Sequence, residues 1–365
     1  MQFRAGGASS RPTRSRSTAV EQGGAAERPR GSGVSPKSAV LAITYRCNSR
    51  CTMCDIWQKK DLPPDLPAAF YRRLPASLRE VNLSGGEPVL RNDLPEIIAA
   101  IQERCRGVRI IISTNGLLPQ RTVELLEGHP EIGVRVSIDG LEEEHDRIRG
   151  IPGSYAKGLE TLDRLQRAGF RDLGISYTIS AGSAPRLAAL KKLADERGME
   201  FTCSVVHSSE FYFGDQAEEV PNREAHIAEL IALERQQLRS CRPKEWFRAY
   251  YTEGLIRKLR GERRMIPCLA LEEFFYLDPY GNVYPCNVLD RPIGNLREHS
   301  YDELVRQAPE TLAYVRSCPV QCWMVCTAAP AMRRNIVVPG LWICRRMLAG
   351  RKPQTRVATL PERAR

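Results

Sequence analysis

The chain has 365 residues, 42% of them hydrophobic and 27% charged, which suits either one large soluble domain with an appendage or two domains. No apolar run approaches the roughly 18 residues of a membrane-spanning helix, and the N-terminus lacks an apolar export core, so neither membrane insertion nor secretion is expected. The net charge of +11 sits in the tails, +5 over residues 1–38 and +6 over 345–365. The body between them is neutral and offers no basic stripe, so nucleic acid is not expected as a partner.

In chain order, residues 1–38 are rich in Gly, Ser, Arg and Pro and read as a disordered basic tail. A transit peptide fits less well, because the segment holds two acids and lacks amphipathic spacing. From residue 39 short apolar runs alternate with amphipathic stretches. Strands are expected at 39–44, 80–84, 108–113, 133–138, 173–179 and 200–206, and helices between them at 93–105, 154–169 and 184–198. Such a repeat predicts an α/β fold with a parallel sheet, either open or curved into a partial barrel, over residues 39–220. Helices at 222–241 and 245–261 then make a connector over 221–265, where Trp246, Phe247, Tyr250 and Tyr251 read as core, with a pocket wall as the alternative. Past residue 265 a hairpin at 274–286, turned by PYGN, opens a small cysteine-rich domain over 266–345. A second basic tail follows over 346–365.

Twelve cysteines are many for this length, and nine of them fall into two groups. Without an export signal, such groups hold metal more often than they form disulfides, which places the chain in the cytoplasm. Cys47, Cys51 and Cys54 form CX3CX2C directly after the first strand. SGGEP (84–88), STNG (113–116) and SIDG (137–140) end the next three strands. In parallel α/β folds ligands gather at the carboxyl ends of the strands, so four signals converge on one rim. Three soft thiolates can hold three irons of a cubane [4Fe-4S] cluster and leave the fourth open. Zinc would need a fourth protein ligand, and no His or Cys lies close by in sequence. Taken singly, GGEP reads as a turn, STNG as a loop entry, Arg149 as a solvated residue and His145 as a surface side chain.

The ordered set resembles the radical S-adenosylmethionine (SAM) enzymes. The resemblance implies a partial (β/α)6 barrel and a cluster on Cys47, Cys51 and Cys54 whose open iron binds SAM. One electron from a flavodoxin or ferredoxin-type donor then splits SAM into methionine and a 5'-deoxyadenosyl radical. It further implies that Gly85, Gly86, Glu87 and Pro88 hold the methionine ammonium, with backbone carbonyls left free as acceptors. Asn115, Ser137 and Arg149 match further SAM contacts. Met53 stands where many members carry an aromatic, and Trp57 follows Cys54 by three residues.

Cys268, Cys286, Cys318, Cys322, Cys326 and Cys344 form the second group. CX12GX4C from Cys268 to Cys286 resembles the SPASM or Twitch extensions, which carry auxiliary [4Fe-4S] clusters, whereas the CX3CX3C of Cys318, Cys322 and Cys326 departs from the SPASM spacing. Pro319 predicts a loop before any helix there. Six thiols fall short of two full clusters, so one four-cysteine cluster with two spare thiols is the reading, with two incompletely ligated clusters second. Cys268 and Cys286 are the firmest ligands. Hydrogen abstraction from an unactivated C–H bond is expected, followed by oxidation of a peptide or sugar-type substrate. A redox-neutral epimerase or rearrangement enzyme is the alternative, and a non-catalytic zinc or iron-sulfur scaffold is the alternative of another class.

Overall fold

The six apolar runs form strands β1 (Ser38–Thr44), β2 (Glu80–Gly85), β3 (Arg109–Thr114), β4 (Gly133–Ser137), β5 (Leu173–Ile179) and β6 (Glu200–Val205). Each pairs in parallel with its predecessor. The computed structural model describes residues 35–209, 211–214, 220–320 and 322–350. The N-terminal tail up to residue 34 and the C-terminal tail beyond residue 350 lie outside them. Crossovers are made by helices α1 (Leu94–Arg104), α2 (Pro119–Leu126), α3 (Glu142–Arg149), α4 (Ser154–Arg167) and α5 (Leu187–Glu196), and α6 (Arg223–Arg239) and α7 (Pro243–Leu259) follow. Helices α2 and α3 are absent from the sequence reading for physical reasons. The first has only two turns, and in α3 only His145 and Ile148 are buried, too few to print a helical period.

The sheet runs β6-β5-β4-β3-β2-β1 and continues into β7 (Phe274–Leu277), β8 (Asn282–Tyr284) and β9 (Gly294–Asn295). β6 ends the sheet instead of closing on β1, so the parallel strands make an open, partial barrel. β7 pairs in parallel with β1, Ala39 opposite Phe275, and turns back into β8 as the expected hairpin. Asp278 organises that turn, its Oδ1 accepting from the N–H of Tyr280 (2.9 Å) and of Asn282 (2.8 Å). The cysteine-rich segment therefore begins as part of the barrel sheet. It continues through α8 (Tyr301–Gln307), α9 (Pro309–Arg316), α10 (Val325–Arg334) and α11 (Val337–Gly350). No helix among the described residues is long and apolar enough to cross a membrane.

Period-two alternation separates two environments. Ala39, Leu41 and Ile43 of β1, with Val81, Leu83, Ile110, Ile112, Val134 and Val136, pack beneath the helices. Each such large side chain contributes roughly 1.5–3 kcal/mol. Val40 and Ala42 face an aromatic cluster of Tyr45, Tyr212, Phe274, Tyr276 and Tyr284, which explains why β1 is apolar on both faces. From β2 to β6 the alternate positions near the strand ends carry Ser84, Ser113, Ser137, Thr178 and Ser204. These five hydroxyls line one cavity of about 280 Å3.

Candidate active site

Cys47, Cys51 and Cys54 lie in the loop after β1 and line this cavity with Gly85, Gly86, Asn115, Ser137 and Arg149. The end of α3 braces the loop from one side. The Arg149 carbonyl accepts from the Arg50 N–H and from Ser49 Oγ, both at 3.0 Å, and the Ile148 carbonyl accepts from the Thr52 N–H at 2.9 Å. Gly150 makes this approach possible: it caps α3 at φ +68°, and a Cβ there would sit 2.4 Å from the Arg50 carbonyl oxygen. From the other side Asn115 Nδ2 donates to Asn48 Oδ1 at 2.7 Å.

The SGGEP turn presses against the root of the same loop. The Gly86 N–H donates to the Thr44 carbonyl (2.7 Å) and the Glu87 N–H to the Arg46 carbonyl (2.8 Å). A Cβ on Gly86 would lie 2.1 Å from the Arg46 carbonyl oxygen. The structure keeps Glu87 and Pro88 out of the cavity wall, unlike the two glycines. Pro88 is buried in a 3-10 turn, and the Glu87 carboxylate faces inward, accepting from Asn115 N–H (2.7 Å), Thr114 Oγ1 (2.8 Å) and Val89 N–H (3.1 Å). Burial pushes this carboxyl up, and those three hydrogen bonds work against the rise. The Gly85 carbonyl is not free as expected, since it accepts from Tyr212 Oη at 2.8 Å.

Arg149 and His145 are not solvated. Arg149 pairs with the fully buried Asp139 and extends Nη1 to within 3.6 Å of the Cys51 sulfur. Asp139 Oδ1 accepts from the Thr178 N–H (2.8 Å), and the Asp139 N–H donates to His145 Nδ1 (3.0 Å). Burial, and next the charge of Arg149, lower His145 to about 4. Burial also pushes the Cys47 thiol up to about 11 and the Cys54 thiol to about 12, so metal entering here displaces protons.

A second cavity, of about 540 Å3, is lined by Cys268, Cys286, Cys318 and Cys322. Cys318 and Cys322 lie in the loop that Pro319 predicts, and α10 begins only at Val325. Cys326, in the first turn of α10, lines the first cavity beside Met324 and Val325. Cys344 is exposed on α11 and lines neither. Phe247 and Tyr251 border a third, apolar cavity beside β6 that shares Val325 with the first. Tyr250 is core, and Trp246 Nε1 donates to the Ser240 carbonyl at 2.6 Å. The sequence reading missed Asp139, His207, Tyr212 and four of the five hydroxyls. Only the hydroxyls left a signal, as Ser or Thr at inward positions near strand ends.

The residues suit the implied groups. No three acidic, His or Cys side chains among the described residues converge on one point as a single ion requires. Three thiols spread around a cavity match a cubane, in which each sulfur holds a different iron. Arg149, which lines the same cavity and keeps a buried Nε without a partner, brings a cationic guanidinium suited to an anionic ligand such as a carboxylate.

The radical SAM superfamily signature matches residues 41–183. The chain is thus a radical SAM protein, a family whose cofactors are a [4Fe-4S] cluster and SAM. Residues 268–326 match SPASM, an iron-sulfur cluster-binding domain, so its C-terminal part is an auxiliary-cluster domain. Fe-coproporphyrin III synthase of Methanosarcina barkeri is 34% identical over 173 residues, 45% of this chain and 42% of that protein. AdoMet-dependent heme synthase of the same organism is 28% identical over 75% of this chain and 83% of its own length. PqqA peptide cyclase of Xanthomonas campestris pv. campestris is 28% identical over 81% of this chain and 79% of its own length. The fold is that of Streptococcus suis SuiB bound to S-adenosylmethionine, with a TM-score of 0.59 and 17% identity over 78% of this chain and 68% of SuiB.

Proposed function

We propose that the chain is a cytoplasmic radical SAM oxidoreductase that removes hydrogen from an unactivated C–H bond and passes the remaining substrate electron to an auxiliary iron-sulfur centre. The observation that carries this reading is that one short stretch of chain lines both thiol cavities. Cys322 faces the second cavity, and Cys326, four residues on, faces the first. When bound at Cys47, Cys51 and Cys54, the reduced cluster with SAM supplies a 5'-deoxyadenosyl radical.

The chain's own residues do the positioning. Gly85 and Gly86 present backbone to the methionine end of SAM, and Glu87 holds that turn onto the end of β3. Asn115 ties the thiol loop to the same place. Ser137, with the neighbouring hydroxyls, takes the polar edge of the nucleoside. Arg149, oriented by Asp139, offers its guanidinium charge to the carboxylate. Cys268, Cys286, Cys318 and Cys322 hold the auxiliary cluster, and a flavodoxin or ferredoxin-type protein donates the electron.

For the substrate we infer a peptide, the class named by the PqqA peptide cyclase. A second reading, a tetrapyrrole, draws on the two Methanosarcina barkeri relatives and on the apolar cavity of about 540 Å3 past Val325, which Lys244, Arg248 and Arg333 border. Anaerobic reconstitution tests the proposal. With SAM and dithionite the protein should release 5'-deoxyadenosine, and deuterium from a labelled substrate should appear in it. Bound zinc with no SAM cleavage would sink the reading in favour of a scaffold, and more than one turnover per SAM would favour a redox-neutral rearrangement.

A further inference from the structure

We propose that Arg264 is the positioning residue of the second thiol cavity: it fixes Cys322 and, by placing an uncompensated positive charge at that sulfur, raises the reduction potential of the iron-sulfur group held there. The inference rests on the reading of that cavity as the auxiliary-cluster site.

Arg264 stands in the loop between α7 and β7, and its two terminal nitrogens reach Cys322 and the first turn of α10. Nη1 donates to Thr327 Oγ1 at 3.0 Å and lies 3.6 Å from Cys322 Sγ. Nη2 donates to the Thr327 carbonyl at 2.8 Å, and Nε to the Ile266 carbonyl at 2.9 Å. The guanidinium lies over the Trp323 ring, 5.2 Å from its centroid. Trp323 is itself fixed. Its N–H donates to His207 Nε2 at 3.3 Å and its Nε1 to the Tyr251 carbonyl at 2.8 Å, and His207 belongs to the wall of the first cavity. A planar fork held at this many points cannot be replaced by a lysine without loss of direction.

Every hydrogen-bond partner of Arg264 among the described residues is a carbonyl, a hydroxyl or a sulfur, and none is a carboxylate. The first cavity offers the contrast. There Arg149 reaches the middle thiol of its triplet at the same 3.6 Å, but Asp139 neutralises it. Arg264 lines the second cavity with Cys268, Cys286, Cys318 and Cys322, so an anionic cluster held there would lie beside a cation that none of these hydrogen bonds neutralises. Positive charge and hydrogen bonds at ligand sulfurs favour the reduced form of a cluster, so the second site is the better electron acceptor of the two.

The test compares the full chain and Arg264→Gln, both reconstituted anaerobically with iron and sulfide, by iron content and by EPR-monitored potentiometric titration. Signals are assigned with a Cys47→Ala/Cys51→Ala/Cys54→Ala variant, which retains only the second site. Arg264→Gln should keep its iron and show a lower midpoint for the second-site signal, with the first unchanged. Arg264→Lys, which keeps the charge and loses the fork, should fall between. Iron retained with an unmoved second midpoint overturns the proposal. Should Arg264→Gln lose the second-site iron, Arg264→Lys decides: a lowered midpoint supports the proposal and a wild-type one overturns it. Wild-type protein that holds only about four irons, all lost in the triple variant, refutes the auxiliary-site reading itself.

Discussion

Arg149 touches the Cys51 sulfur with one nitrogen and grips the buried Asp139 with another, so a single side chain couples the thiol loop to the β4 end of the barrel. Truncating it strands a charge. Arg149→Met should cost about 3–5 kcal/mol, because Asp139 is left buried and unpaired. The double variant Arg149→Met/Asp139→Leu should recover much of that stability in urea denaturation without recovering SAM cleavage.

Glu87 is bound by three donors inside the fold. Glu87→Gln turns an amide N–H toward at least one of them, and a loss of about 1–3 kcal/mol should follow. A lower urea midpoint at unchanged pH, with SAM affinity falling in parallel, checks that the GGEP glutamate acts by clamping the turn to β3.

Gly86→Ala forces a Cβ onto the Arg46 carbonyl, one residue before Cys47. The loop must move. Iron bound at the first site should fall severalfold while the second site still loads, which iron analysis and EPR can separate.

His145 supplies a pH dependence. Its folded value of about 4 lies below the ordinary 6.5, so the unfolded chain binds the extra proton between these values. Stability from this residue is complete above about pH 6.5 and is lost as pH falls toward 4, on the order of 3 kcal/mol in all. His145→Asn, which retains an acceptor for the Asp139 N–H, should flatten the difference between denaturation midpoints at pH 5 and pH 7. An unchanged difference would assign the acid sensitivity to other groups.

Cys344 and Cys322 separate the spare thiols from the ligands. Cys344→Ala should leave the iron content at the wild-type level, and Cys322→Ala should lose the second set, both read by iron analysis and absorbance.

The strands and the first thiol loop were legible because each is a local pattern: six apolar runs, a three-cysteine spacing after the first, and a turn or loop signal at the ends of the next three. Helix α3 was not, since its helicity comes from tertiary anchoring of Ile148 and His145 and not from an apolar stripe. The pairing of Arg149 with Asp139, ten residues apart, and of Arg264 with Cys322, 58 apart, depends on which elements meet in space, and no spacing records that. Tyr212 escaped for the same reason: it reaches back across 127 residues to Gly85.

The attachment of β7 to β1 has a bearing on how the protein can be divided. A chain cut at residue 265 would bare a row of unsatisfied peptide groups along β1, together with the apolar flank of Val40 and Ala42, and such a raw margin invites self-association. The barrel and its cysteine-rich extension therefore share one continuous sheet, and the strands that join their thiol chambers are held by backbone ladders and not by a hinge.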